Sequence, residues 1–338
     1  MTRPASPAAG KPPAGRLGWR RRFTDRVTAV FAIGAMKLIQ HLPERLVWAL
    51  AGVAGRISYR VARTRRRRAR QNLRRVVEWM AANGRGDESY RAAASDSKAL
   101  EAIVRSAFVN HAYYYVELAR APLCTAAWVR ERLFIETPEA VDAALTERRA
   151  IIVIGLHFGA IEMPGFYAVS RLGSIVAPME TVANARVQRY IFSTRATIGV
   201  RIVTLQAAAG ELLAALRRDE PVGLVADRDL TGGGIEVDLF GAKTKIPAGP
   251  ALLAAETGAP MCMSTVRRVG RARYLGCLRP VPPPEGANRR ERSRAMAREE
   301  ARLFEDFISD APEQWLAVFH PIWPDLEGPG THRYGDRG

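Results

Sequence analysis

From residue 150 to residue 281 the chain alternates short runs of branched apolar residues with helix-length segments. AIIVIGL (150–156), SIVAP (174–178), RIVTL (201–205), PVGLVAD (221–227), APMCMSTVRR (259–268) and ARYLGCLRPV (272–281) read as strands. A helix is expected after 156, and ARVQRYIFSTRATIG (185–199), AGELLAALRRD (209–219) and GPALLAAETG (249–258) read as helices. RRERSRAMAREEARLFEDFISD (289–310) reads as a long helix before a loop-rich end. Strands exchanged with helices at this spacing predict a layered α/β domain whose central sheet is mainly parallel. Apolar residues make up 48% of the 338, enough for a substantial core.

The N-terminal part is different. Residues 1–75 hold 19 Arg and Lys against two acids, Asp25 and Glu44, so the whole formal excess of +17 lies there and the rest of the chain is balanced. Residues 1–19 are rich in Pro, Ala and Gly without a periodic apolar face, and residues 1–25 are read as a disordered basic tail. Residues 28–62 read as two apolar helices divided at Pro43. Lys37, His41, Glu44 and Arg45 interrupt them, so neither half offers the ~20 uninterrupted apolar residues of a spanning helix. No cleavable signal pattern is evident.

TRRRRARQNLRR (64–75) follows. Apolar helices between arginine clusters suit the anionic inner leaflet of a membrane, so residues 26–75 are expected to be amphipathic, membrane-interface helices. The alternative is a helix pair packed on the protein's own core with a solvated arginine face. Nucleic acid is not expected as a partner, because no groove-reading motif or stacking-aromatic pattern accompanies the arginines. Residues 76–326 are then expected to form the main domain, and 327–338 a flexible tail. Cys124, Cys262 and Cys277 lack ligand spacing and read as buried thiols of a reducing compartment.

Within IIVIGLHFGAIEMPGF (151–166), His157 stands just past a strand end, where ligands of open α/β sheets bind, with Glu162 five residues on. A carboxylate on one imidazole nitrogen leaves the other as a general base. Taken alone, the pair is equally compatible with a core histidine satisfied by a nearby acid. No G-x-S-x-G elbow or nearby cysteine supplies a covalent nucleophile, so direct attack by a substrate hydroxyl fits best. Zinc is not expected, since HExxH is absent and the five histidines are scattered. A second stretch, GLVADRDLTGGGIEVDLFGAKTKIPAGPALLAAETGAP (223–260), again ends a strand in polar residues, Asp227, Arg228 and Asp229. These are candidate substrate-binding residues. Gly232–Gly234 read as a turn before a short extended segment carrying Glu236 and Asp238.

HFGAIE, the DRDL…GIEVDLFG…IPAGPALLA…TGAP block and the terminal PEQWLAVFHPIWPD (312–325) together resemble the lysophospholipid-acyltransferase superfamily. Within it they resemble the lipid A late-acyltransferase branch, and most of all the phosphatidylinositol mannoside acyltransferases; the likeness runs from about residue 28 to 326. It implies a glycerol-3-phosphate-acyltransferase-like fold. The activity implied is transfer of a fatty acyl group from acyl-CoA to a hydroxyl of a glycolipid or phosphoinositide, with no cofactor, metal or acyl-enzyme. His157 would be the general base, Glu162 its orienting partner, and Arg195 and Glu236 supporting residues of the active site. The implied location is peripheral, on the cytoplasmic face of the inner membrane. The mannoside branch more typically carries Asp where Glu162 stands, so a lipid A precursor or another glyco- or lysophospholipid stays open as the acceptor. A non-catalytic membrane- or nucleic-acid-binding protein is the alternative of another class.

Overall fold

The computed structural model describes residues 17–146, 150–230, 232–283 and 286–327. Most of the expected N-terminal tail and all but Glu327 of the C-terminal one lie outside these ranges, but a helix begins at Leu17, inside the stretch read as tail. This helix, α1 (Leu17–His41), is separated from α2 (Glu44–Val61) at Pro43, which has no N–H to continue a helix. The arginine-rich α3 (Arg63–Asn83) follows, then α4 (Glu88–Ala92), α5 (Ser97–Arg120) and α6 (Ala126–Arg132). The sheet domain begins with β1 (Leu133–Ile135) and α7 (Pro138–Thr146).

The expected alternation is present: β2 (Ile152–Gly155), α8 (Met163–Leu172), β3 (Ile175–Met179), α9 (Ala185–Ala196), β4 (Val200–Thr204), α10 (Ala208–Arg217) and β5 (Val222–Val225). A hairpin of β6 (Ile235–Leu239) and β7 (Ala242–Ile246) precedes α11 (Gly249–Thr257), β8 (Met261–Gly270), β9 (Arg273–Val281) and α12 (Arg289–Asp310). Single turns of 3-10 helix close the described chain.

Seven strands form one sheet in the order β1-β9-β8-β2-β5-β3-β4. The five from β8 to β4 are parallel; β9 pairs antiparallel with β8 and parallel with β1, so β9 and β1 run the other way. This is the mainly parallel, helix-flanked sheet that the alternation predicts. The largest core cluster lies under α3, α5 and α12, where Leu73, Val76, Met80, Val104, Phe304 and Ile308 pack with Ile152 and Ile154 of the central strand. A second cluster joins α2 and α5 to Met163 and Phe166 of α8. Helix α3 thus faces two ways, arginines outward and Leu73, Val76, Val77 and Met80 fully buried. All three cysteines are free and buried; burial pushes the Cys124 and Cys262 thiols up to about 12. Among the described residues no helix is long and apolar enough to cross a membrane.

Candidate active site

Strands β2 and β5 are neighbours, and Gly155 at the end of one pairs with Val225 at the end of the other. His157 and Asp227 each follow by two residues, so two parallel strands deliver them side by side beyond the carboxyl edge of the sheet. His157 Nδ1 lies 2.6 Å from Asp227 Oδ1. An ionised carboxylate can only accept, so Nδ1 carries the proton and Nε2 is left for the cavity. The backbone N–H of His157 donates to Asp227 Oδ2 at 3.1 Å, and the Trp315 indole donates to the same oxygen at 2.8 Å. The Asp227 side chain is entirely buried. Burial opposes its ionisation, but the His157 charge and hydrogen bond, the Trp315 N–H and the Arg228 charge outweigh it and hold the carboxyl below the usual range.

Several contacts fix the loop that carries His157. Gly159 has φ +56°, and a Cβ there would stand 2.1 Å from the Val266 carbonyl oxygen, so only glycine fits. Leu316 N–H donates to the His157 carbonyl at 2.6 Å, and Gly159 N–H to that of Gln314 at 2.9 Å. Arg268, buried on β8, reaches the Gly159 carbonyl at 2.7 Å and forms a two-pronged pair with the buried Glu117 of α5, at 2.7 and 2.8 Å. The Gln314 side chain bonds both the N–H and the carbonyl of Arg268. The terminal PEQW block is therefore laid across the His157 loop and supplies one of the Asp227 donors.

The structure corrects the expected partner of His157. Glu162 stands at the N-cap position of α8 and accepts from Arg195: Nε donates at 3.1 Å, and a terminal guanidinium nitrogen donates to the other oxygen. Arg195 is 4% exposed, so this is an internal ion pair. Helix α8 begins at Met163, and that geometry turns Glu162 to α9 while the neighbouring strand brings Asp227 to the imidazole. Glu236 is also corrected. It stands on the outer face of β6, where Val237 and Leu239 point inward, and borders a separate surface hollow with Arg290 and Arg294. Asp227 positions His157 and offers no surface to a substrate. Asp229 accepts from the N–H groups of Gly232 and Gly234 and so shapes the glycine turn. Arg228 does reach the cavity; it is 10% exposed and lies 3.6 Å from Glu180.

His157, Glu162, Arg195 and Arg228 line one cavity of about 550 Å³. Apolar side chains of α8, β3, β4 and β5, among them Phe166, Ile175, Ile202 and Leu224, form most of its walls. Tyr114, His111 and His320 complete it. Burial, with the charges of Arg228, His157 and Arg65, drives His320 down to about 3 despite Asp227, so its ring is neutral. Trp315, His320 and His111 were not singled out in the sequence; the PEQW motif held the first two. An imidazole with a free nitrogen in the wall of a largely apolar cavity can deprotonate a hydroxyl beside a long hydrocarbon chain.

Residues 17–324 match the family model described as bacterial lipid A biosynthesis acyltransferase. The chain is similar to the phosphatidylinositol mannoside acyltransferase of Mycolicibacterium smegmatis, 28% identical over 249 residues that cover 72% of this chain and 76% of that relative. To the Mycobacterium tuberculosis protein of the same name it is 31% identical over 160 residues, 45% of this chain and half of that relative.

Proposed function

This chain belongs to the bacterial lipid A biosynthesis acyltransferase family, and from that premise we propose that it acylates a phosphatidylinositol mannoside with a fatty acyl group from acyl-CoA. His157 Nε2 removes the proton of an acceptor hydroxyl as its oxygen attacks the thioester carbonyl. The tetrahedral intermediate collapses, the carbon–sulfur bond breaks, and the proton passes from His157 to the departing thiolate. Asp227 keeps Nδ1 protonated and stabilises the imidazolium between the two transfers. The acyl chain lies in the apolar cavity, and the Arg195–Glu162 pair shapes its wall. No acyl-enzyme forms and no metal takes part. The observation that carries this reading is the 2.6 Å contact between His157 Nδ1 and Asp227 at the head of that cavity.

The enzyme works at the cytoplasmic face of the inner membrane, where acyl-CoA is available. Exposed Leu46, Leu50, Val53, Ile57 and Val61 recur at three- and four-residue spacing along α2, and Val30, Phe31 and Leu38 are exposed on α1. Such a stripe beside an excess of arginine supports seating on an anionic surface.

Incubating purified protein with labelled palmitoyl-CoA and phosphatidylinositol mannosides should give a palmitoylated glycolipid by mass spectrometry. His157→Ala should lower turnover by about 10²-fold or more. Near-normal transfer by that variant would overturn the base assignment. The family match and the Glu in the H-x4-E motif favour a second acceptor, a lipid A precursor, so it belongs in the same panel.

A further inference from the structure

The arginines of α3 do not form one uniform surface. Arg68, Arg70 and Arg75 are each paired with a carboxylate, of Glu327, Glu101 and Asp325 respectively. Arg66 donates to the Tyr59 carbonyl and lies over the Tyr59 ring. Arg65 has a different setting. Its guanidinium donates to Nε2 of His111 at 3.1 Å and stacks over the Phe319 ring, 4.7 Å from its centre. It makes no ion pair among the described residues.

Arginine can only donate, so His111 accepts at Nε2 with a neutral ring. Burial and the Arg65 charge agree with that, driving His111 down to about 4. A neutral imidazole and a phenyl face fix a guanidinium in place without neutralising it. His111 lines the His157 cavity, and so does His320, the residue after Phe319. Arg65 thus touches one cavity-lining histidine and stacks on the ring beside the other, while Arg228 lines the same cavity. Arg228 lies 3.6 Å from Glu180, a long ion pair.

We propose that Arg65, together with Arg228 of the cavity wall, forms an anion subsite at the rim of the catalytic cavity that receives a phosphate group of a substrate. The site rests on the acyl-transfer reading above, whose two substrates each carry phosphate: the acceptor a phosphodiester, the donor the phosphates of CoA. A planar, pre-oriented guanidinium is the group best matched to phosphate oxygens. Held at the rim, it would set how far a bound lipid enters and hence which hydroxyl meets Nε2.

The test uses the full-length protein, a water-soluble short-chain phosphatidylinositol mannoside and short-chain acyl-CoA below their micelle limits, so that attraction to a bilayer plays no part. Arg65→Gln keeps a donor for His111 and removes the charge. It should raise KM for one substrate about tenfold, the loss of one charge-assisted contact, with kcat within about twofold. Arg65→Lys should recover part of that loss. A rise confined to the acceptor assigns the lipid phosphodiester, and a rise confined to the acyl-CoA assigns the donor's phosphates. Unchanged KM for both substrates would overturn the subsite, as would a defect that appears only on anionic vesicles. A wild-type protein inactive on every mannoside would instead fail the acceptor assignment. The comparison is then made on whichever phospholipid acceptor the panel yields.

Discussion

Three donors converge on the Asp227 carboxylate: Nδ1 and the backbone N–H of His157, and the Trp315 indole. Replacing the carboxylate by an amide breaks that convergence with little change of volume. Asp227→Asn should therefore lower kcat by about 10²-fold or more and shift the acid limb of its pH profile. Glu162 touches Arg195 and not His157. Its amide variant should leave the limb of the pH profile unmoved, and Glu162→Ala should cost about 3 kcal/mol by stranding a buried guanidinium, measured by urea unfolding. Asp227 also links stability to acidity. Its folded pKa lies below the unfolded value of about 3.9, so its contribution is complete above that pH and is lost as pH falls through the folded value. The urea midpoint of Asp227→Asn should consequently approach that of the wild type as pH falls from 5 to 3. His157 was legible because a strand end and a motif mark it. Its partner was not, since strand adjacency across 70 residues selects Asp227, whereas the five-residue spacing to Glu162 suggested a contact that the start of α8 removes.

At the scale of elements, α12 carries a conspicuous defect. Glu300 is fully buried there, neither carboxylate oxygen has a hydrogen-bond partner, and burial raises it to about 8. The folded state thus holds a proton that the unfolded chain releases above about 4.3, and stability declines as pH rises from there towards 8. Glu300→Met should raise Tm at pH 7, by roughly 3 kcal/mol in stability, and flatten the decline between pH 5 and 8 in a melting series. The exposed stripe of α2 makes a separate prediction. Leu50→Asp should weaken sedimentation with anionic vesicles by about tenfold or more while leaving turnover on a soluble acceptor unchanged. Element types were readable wherever the pattern was long: the expected helix over 289–310 coincides with α12. The short extended segment of β6 was readable as well, but its facing was not: Glu236 and Asp238, two residues apart, share the exposed face. That depends on what packs beneath Val237 and Leu239, and it left Glu236 on the outside.

Over the whole molecule, the basic excess and the His157 cavity come from different parts of the chain, yet Arg65 touches His111 of that cavity. Composition located the basic excess in residues 1–75 but could not divide it. The fold pairs some α3 arginines with carboxylates, sets Arg65 against the cavity-lining His111, and places apolar residues of the same helix in the main core. The parallel sheet followed from alternation alone, while the order β8-β2-β5-β3-β4, which makes His157 and Asp227 neighbours, is a long-range choice that local pattern does not contain.

Trp315 reaches Asp227 across 88 residues, and Asp227 reaches His157 across 70. Contacts so distant along the chain form late, because each closes a long loop before it gains anything in return. As the chain is synthesised, His157 emerges first, then Asp227, and last the Trp315 indole and the strap that hold both. Helices α1 and α2, with their exposed apolar residues, emerge before any of them. The candidate site is accordingly a property of the folded chain as a whole: the exposed apolar helices are made before the His157–Asp227–Trp315 cluster can assemble. On refolding, activity should return after helix content has recovered.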